Sequence, residues 1–174
     1  PDRFPVGERC TTAVSLCDLF PTFLGAANIS EDGLSLDGSD LAQVASAPDA
    51  DRVVYSQFAE GASAIYMAVS DNWKYVYSAA DQAEFFFDRH EDPRELHNLA
   101  DSSDAAVSKD QMKQTLLRYL ESVDAQEAYT KTGDTLEWCS FPPKDEAYLK
   151  DPDAELLVQD YPSYPLELPG YSDS

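Results

Sequence analysis

Aromatic and polar positions alternate most clearly at residues 73–77, where Trp73, Tyr75 and Tyr77 are separated by Lys74 and Val76. That two-residue period predicts a strand with one buried face. Residues 84–88 (EFFFD) form a second short aromatic run, too brief for a helix. Upstream, 52–58 (RVVYSQF) and 63–69 (SAIYMAV) read as two further strands, and 59–62 (AEGA) suits a hairpin-like turn. Four short strands in succession, joined by short polar links, predict a four-stranded antiparallel meander. Asp92-Pro93 then breaks the chain, because proline fixes φ and disfavours helix in the residue before it.

A helical period replaces the alternation at 108–123. Met112, Leu116, Leu117, Leu120 and Val123 form one stripe, and Ser108 with Gln111 fits a capping box. This helix covers one sheet face, and Trp73, Tyr75 and Tyr77 are predicted to look toward it. The other face stays open, with Phe86, Tyr66 or Val76 on it. A second helix of about three turns is predicted at 15–26, with Leu16, Leu19, Phe20, Phe23 and Leu24 as a broad apolar face. Either Ser15 or Asp18 can cap it. With Asp18 as cap, Pro21 falls where its missing N–H matters little. With Ser15 as cap, Asp18 completes a capping-box-like pattern and Pro21 should kink the helix. Residues 28–51 read as a loop holding Gly33 and Gly38 among Asp and Ser. Beyond 124 the period fades. Pro162, Pro165 and Pro169 forbid a long helix or a central strand. Trp138, Tyr148, Tyr161 and Tyr164 make 126–174 too aromatic for plain disorder, so an ordered, extended tail lying on another surface is expected.

The length of 174 residues fits one ordinary domain, or one domain with a tail, and 43% apolar residues suffice for a core. The charge narrows the partners. With 33 acidic against 12 basic residues the formal net charge is −21, and such a surface repels phosphate backbones and anionic lipid. Neither nucleic acid nor a membrane surface is an expected partner. Two readings of the acidity stand: solubility and an offset of charge elsewhere in a larger protein, or adaptation to salty surroundings. No apolar run of about 18 residues marks a membrane-spanning helix. The chain opens PDRFPVGERC, without an initiator Met or a signal peptide, and reads as a piece of a longer protein. Cys10, Cys17 and Cys139 form no C-x-x-C pair, which argues against structural zinc. They read as three thiols, and a Cys10–Cys17 disulfide would need suitable backbone geometry.

Three ordered blocks lie within 73–100: Lys74-Tyr75-Val76-Tyr77, Phe86-Phe87-Asp88, and Asp92-Pro93-Arg94-Glu95-Leu96-His97-Asn98-Leu99-Ala100. They resemble the C-terminal region of the sulfatase family, within the alkaline phosphatase superfamily, whose small C-terminal sheet ends with a pattern close to KYIY…ELYDL…DPxExxNLA. Arg89 departs from it, where the family usually has Leu. Residues 15–25 (SLCDLFPTFLG) resemble the family's SLVDLFPTLLxLAG, and 36–41 (LDGSDL) loosely match its DGxSLxPLL.

Candidate chemistry is sparse. The family's nucleophile is a Cys or Ser in C/S-x-P-x-R, converted to formylglycine. Cys10 and Cys17 lack the following Pro and Arg, Cys139 has its proline one place late and no Arg, and Ser46-Ala47-Pro48 lacks the Arg. The family's calcium-binding Asp-Asp pair is not found either. Asp32, Asp37 and Asp40 have the oxygen chemistry that calcium takes but not EF-hand spacing, so their loop reads as a solvated turn. His90 and His97, the two histidines, flank the DPRE turn and read as surface residues. No G-x-S-x-G, G-x-G-x-x-G or phosphate-binding loop occurs. The reading assigns this chain no catalytic, substrate-binding or metal-ligating residue.

The resemblance implies an α+β fold. The last helix of a large α/β domain (1–45) precedes a C-terminal sulfatase subdomain of four antiparallel strands and a helix (52–125), and an extended Pro/Tyr-rich tail (126–174) follows. It implies an intact, exported enzyme that hydrolyses sulfate esters, with calcium and formylglycine in an N-terminal catalytic domain as this chain's partner. The chain alone would be inactive and would self-associate through exposed apolar surface. A self-standing acidic interaction domain, or part of a phosphonate or phosphate ester hydrolase of the same superfamily, are the alternatives.

Overall fold

The computed structural model describes residues 3, 4, 7, 9–49 and 51–141; most of the expected tail, 142–174, lies outside the described residues. Strands β1 (Val54–Phe58), β2 (Ile65–Val69), β3 (Trp73–Ser78) and β4 (Ala83–Asp88) pair antiparallel in chain order, the meander predicted from the alternation. Register decides which residues share a face. Tyr55, Ala68, Tyr75 and Phe86 stand in one cross-strand row, and Tyr66 stands opposite Tyr77. Helix α3 (Ala106–Ser122) covers that face, so Tyr66, Tyr75, Tyr77 and Phe86 share one core with Met112, Leu116 and Leu120. Each such side chain contributes roughly 1.5–3 kcal/mol on burial.

Tyr75 and Tyr77 thus face the helix as their alternation predicts, and half-buried Trp73 stacks on Phe86 with centroids 5.0 Å apart. Tyr66 and Phe86 do not lie on the open face. Pairing puts them on the helix side, because a strand's faces exchange at every residue. Val76 does lie opposite, in a row with Met67 and Phe85.

Helix α3 starts ahead of the Ser108–Gln111 capping box. Its N-cap is Ala105, which offers no side-chain acceptor but is buried in the core, so packing sets the start. Val123 falls at the C-cap and is exposed, outside the buried stripe. Asp124 takes a left-handed conformation (φ 61) and Ala125 N–H donates back to Leu120 C=O, which ends the helix.

At the N-terminal end, a 3-10 turn (Leu16–Asp18) runs into α1 (Leu19–Ala26). Ser15 is the cap, and its capping box with Asp18 is complete. Pro21 is the third residue of α1, where its absent N–H would have no partner within that helix. The stretch 28–51 is not all loop. Asp40 caps a short helix α2 (Leu41–Ser46), which buries Ala42 and Val44. The start of the expected tail is not extended chain either: β5 (Tyr129–Thr132) and β6 (Thr135–Trp138) form a hairpin, turning at Gly133 (φ 62). It is held because Trp138 and Phe141 have aromatic partners in the core. No helix among the described residues is long and apolar enough to cross a membrane.

Candidate functional site

Asp18 is where the N-terminal segment meets the sheet. Its Oδ2 accepts the Ser15 N–H at 2.7 Å, and its Oδ1 accepts the Ser39 N–H at 2.8 Å and an Arg52 guanidinium N–H at 2.6 Å. The carboxylate is fully buried. Burial pushes its pKa up, but the Ser15 and Ser39 N–H groups and Arg52 outweigh that and hold it below its ordinary value. Gly38 completes the joint. A Cβ there would lie 2.1 Å from the Cys17 carbonyl oxygen, so only glycine lets this loop approach the helix start.

Residues 11–17, Val54, Met67 and Val69 of strands β1 and β2, and Arg89 line an open groove of about 530 Å³. Arg89 is engaged: its Nη1 donates to Ser70 C=O at 2.5 Å and to Asp71 C=O at 3.4 Å. The groove offers apolar contact rather than acid–base chemistry. Leu16, which lines the groove, and Phe20 and Phe23 of α1 are exposed, at 83%, 55% and 64%.

The DPRE turn is architectural. Asp92 Oδ2 accepts the N–H groups of Leu96 and His97 at 2.7 and 2.8 Å, and Lys74 Nζ donates to Glu95 Oε2 at 2.6 Å. Asn98 Oδ1 accepts from Phe86 N–H at 2.9 Å and Ala100 N–H at 3.0 Å, and Leu99 N–H donates to Phe86 C=O, which ties the connector to the outer edge of β4. His90 and His97 are exposed and lie beside Glu91 and Asp92. Cys10 and Cys17 are exposed, Cys139 is half-buried, and all three are free thiols. Ser46 donates to Gln43 C=O at the end of α2.

A polar chain missed by the sequence reading crosses the core. Trp138 Nε1–H donates to Tyr75 Oη at 2.9 Å, Tyr75 donates to Glu84 Oε1 at 2.7 Å, and Lys109 Nζ donates to Glu84 Oε2 at 2.8 Å. Burial, then the bond to Glu84, pushes the Tyr75 phenol far above its ordinary value. The only local cue is the alternation of 135–138, too short to stand out. Tyr66 Oη has no partner among the described residues, and burial with nearby Glu127 raises its pKa to about 12.

Among the described residues no three His, Cys, Asp or Glu side chains stand together as a metal site. Asp40 is occupied by Arg3 and the Ala42 N–H, while Asp32 and Asp37 are exposed. Asp32, Asp37 and Asp40 therefore do not converge on a cation site, and no reaction step is assigned to them.

No family model matches the chain. Among curated proteins it is 30% identical over 129 residues to the uncharacterized sulfatase YidJ of Escherichia coli, an alignment covering 70% of this chain and 25% of that protein. The chain belongs to the sulfatase family, as a C-terminal region. Solved structures share its fold. A YidJ sulfatase from Bacteroides fragilis superposes with TM-score 0.60 at 23% identity, over 73% of this chain and 30% of that one. A sulfatase from Bacteroides thetaiotaomicron gives 0.52 at 20% identity, over 63% and 25%. The chain thus spans about a quarter of the sulfatase it matches in sequence. In this sulfatase C-terminal region, Asp18, Gly38 and Asn98 of the recognisable blocks close joints between segments, and Asp92 closes its own turn.

Proposed function

We propose that the chain is the C-terminal portion of a sulfate-ester hydrolase and serves it as a structural subdomain. In this reading residues 1–45 end the catalytic domain and 52–125 form the C-terminal subdomain, with the hairpin of β5 and β6 packed on it. The nucleophile, formylglycine in this family, and the calcium ion belong to the preceding domain, and the intact enzyme is exported. The observation that carries the reading is the 30% identity to a sulfatase of which this chain covers only 25%. The exposed Leu16, Phe20 and Phe23 support it, because an apolar patch of this kind marks a surface meant for a partner.

The test compares the intact gene product with the 174-residue chain on an aryl sulfate, an aryl phosphate and an aryl phosphonate monoester. Turnover of the sulfate by the intact protein, lost when the nucleophile Cys or Ser encoded upstream is replaced by Ala, is the expected result. Turnover by the 174-residue chain overturns the structural role. A preference for phosphate or phosphonate moves the enzyme elsewhere in the superfamily.

A further inference from the structure

We infer that this chain is built to fold in concentrated monovalent salt. Every lysine among the described residues is already in an ion pair: Lys74 with Glu95, Lys109 with Glu84, Lys113 with Glu137, and Lys131 with Glu121. Arg3 and Arg52 are paired with Asp40 and Asp18, and Arg89 is turned onto two carbonyls. All four described lysines and three of the six described arginines are thus engaged, while Arg9, Arg94 and Arg118 are exposed. Opposite them, Glu31, Asp32, Asp37, Asp51, Glu60 and Asp101 are exposed, and their carboxylates have no partner among the described residues. They are scattered over several loops and turns rather than gathered around one point, so they describe a charged surface and not a cation site.

Magnitude decides what relieves that surface. Neighbouring carboxylates repel equally in the unfolded chain and carry no folding penalty. The penalty comes from compressing like charge into a compact body, and the formal net charge of the chain is −21. The radius of gyration expected for this length is about 16 Å, longer than the Debye length of about 10 Å at 0.1 M salt and about 3 Å at 1 M. For a charged sphere of that size, the self-repulsion falls roughly 2.5-fold between those two concentrations. Physiological ionic strength therefore leaves much of it in place, and the relief continues into the molar range.

The experiment follows the urea midpoint of the intact gene product, and of the 174-residue chain beside it, from about 0.1 M to about 2 M KCl. A midpoint that climbs across the whole range, by roughly two-fold or more, is expected of both samples. A variant with Glu31→Gln, Asp32→Asn, Asp37→Asn, Asp51→Asn, Glu60→Gln and Asp101→Asn should climb with roughly half the slope, since repulsion scales with the square of net charge. Three results overturn the inference. One is a midpoint that levels off by about 0.3 M KCl, which is ordinary screening. Another is millimolar calcium matching molar KCl, which is a specific site. The third is salt dependence in the chain but none in the intact protein, which is charge offset within the larger protein.

Discussion

Replacing Asp18 by Asn removes one charge and tests the joint between the N-terminal segment and the sheet. The carboxylate accepts three donors, from Ser15, Ser39 and Arg52. An amide keeps one oxygen, so at least one donor then faces an NH2 group. Arg52, with a side chain only 18% exposed, loses its counter-charge while its Nε already lacks a partner among the described residues. Breaking a buried pair costs about 3–5 kcal/mol, and Arg52's partial exposure places this case near 3. An orphaned buried N–H adds about 1 kcal/mol or more. The loss should appear as local opening, because the sheet and α3 keep their own core. Hydrogen exchange of the Ser15 and Ser39 amides should therefore quicken by about three orders of magnitude, while Tyr75 and Leu116 stay protected. The pH dependence has a defined sign. Asp18 has a lowered folded pKa, so its contribution is present above the ordinary value of 3.8 and is lost as the pH falls through the folded value. Wild type should loosen this joint in acid, and the Asn variant should lack that transition. Less than a tenfold change in exchange at Ser39 would refute the reasoning.

The other joints make shorter predictions. Trp138→Ala removes a ring stacked on Tyr77 at 4.2 Å and the donor to Tyr75, so urea denaturation should show a loss of about 3–5 kcal/mol, with Trp138→Phe losing less. Gly38→Ala places a methyl against the Cys17 backbone and should lower stability by about 1–3 kcal/mol, with faster proteolysis of 28–46 as the readout. Asn98→Ala leaves the Phe86 and Ala100 N–H groups without their acceptor, and exchange at Phe86 should rise more than tenfold if each is worth about 1–3 kcal/mol. The bare face of Leu16, Phe20 and Phe23 predicts that the isolated chain binds a hydrophobic dye and self-associates; a sharp monomer in concentrated sedimentation runs counts against it.

Local order was legible in the residues. The alternation of Trp73, Tyr75 and Tyr77 specified a strand and its buried face, and the Met112–Leu120 stripe specified a helix to cover it, because near neighbours in sequence carry both periods. The blocks around Asp18 and Asn98 were legible as motifs, yet their roles were not. Asp18 meets Arg52 across 34 residues, and Trp138 meets Tyr75 across 63. No local period encodes such partners; the strand order and the path of the chain bring them together. The same holds for Tyr66 and Phe86, whose own strands are too short to name a face until pairing with β3 assigns one. The hairpin at 129–138 shows the same dependence, since a two-stranded ribbon is marginal alone and persists where Trp138 finds Tyr77, Tyr66 and Tyr75 already in place.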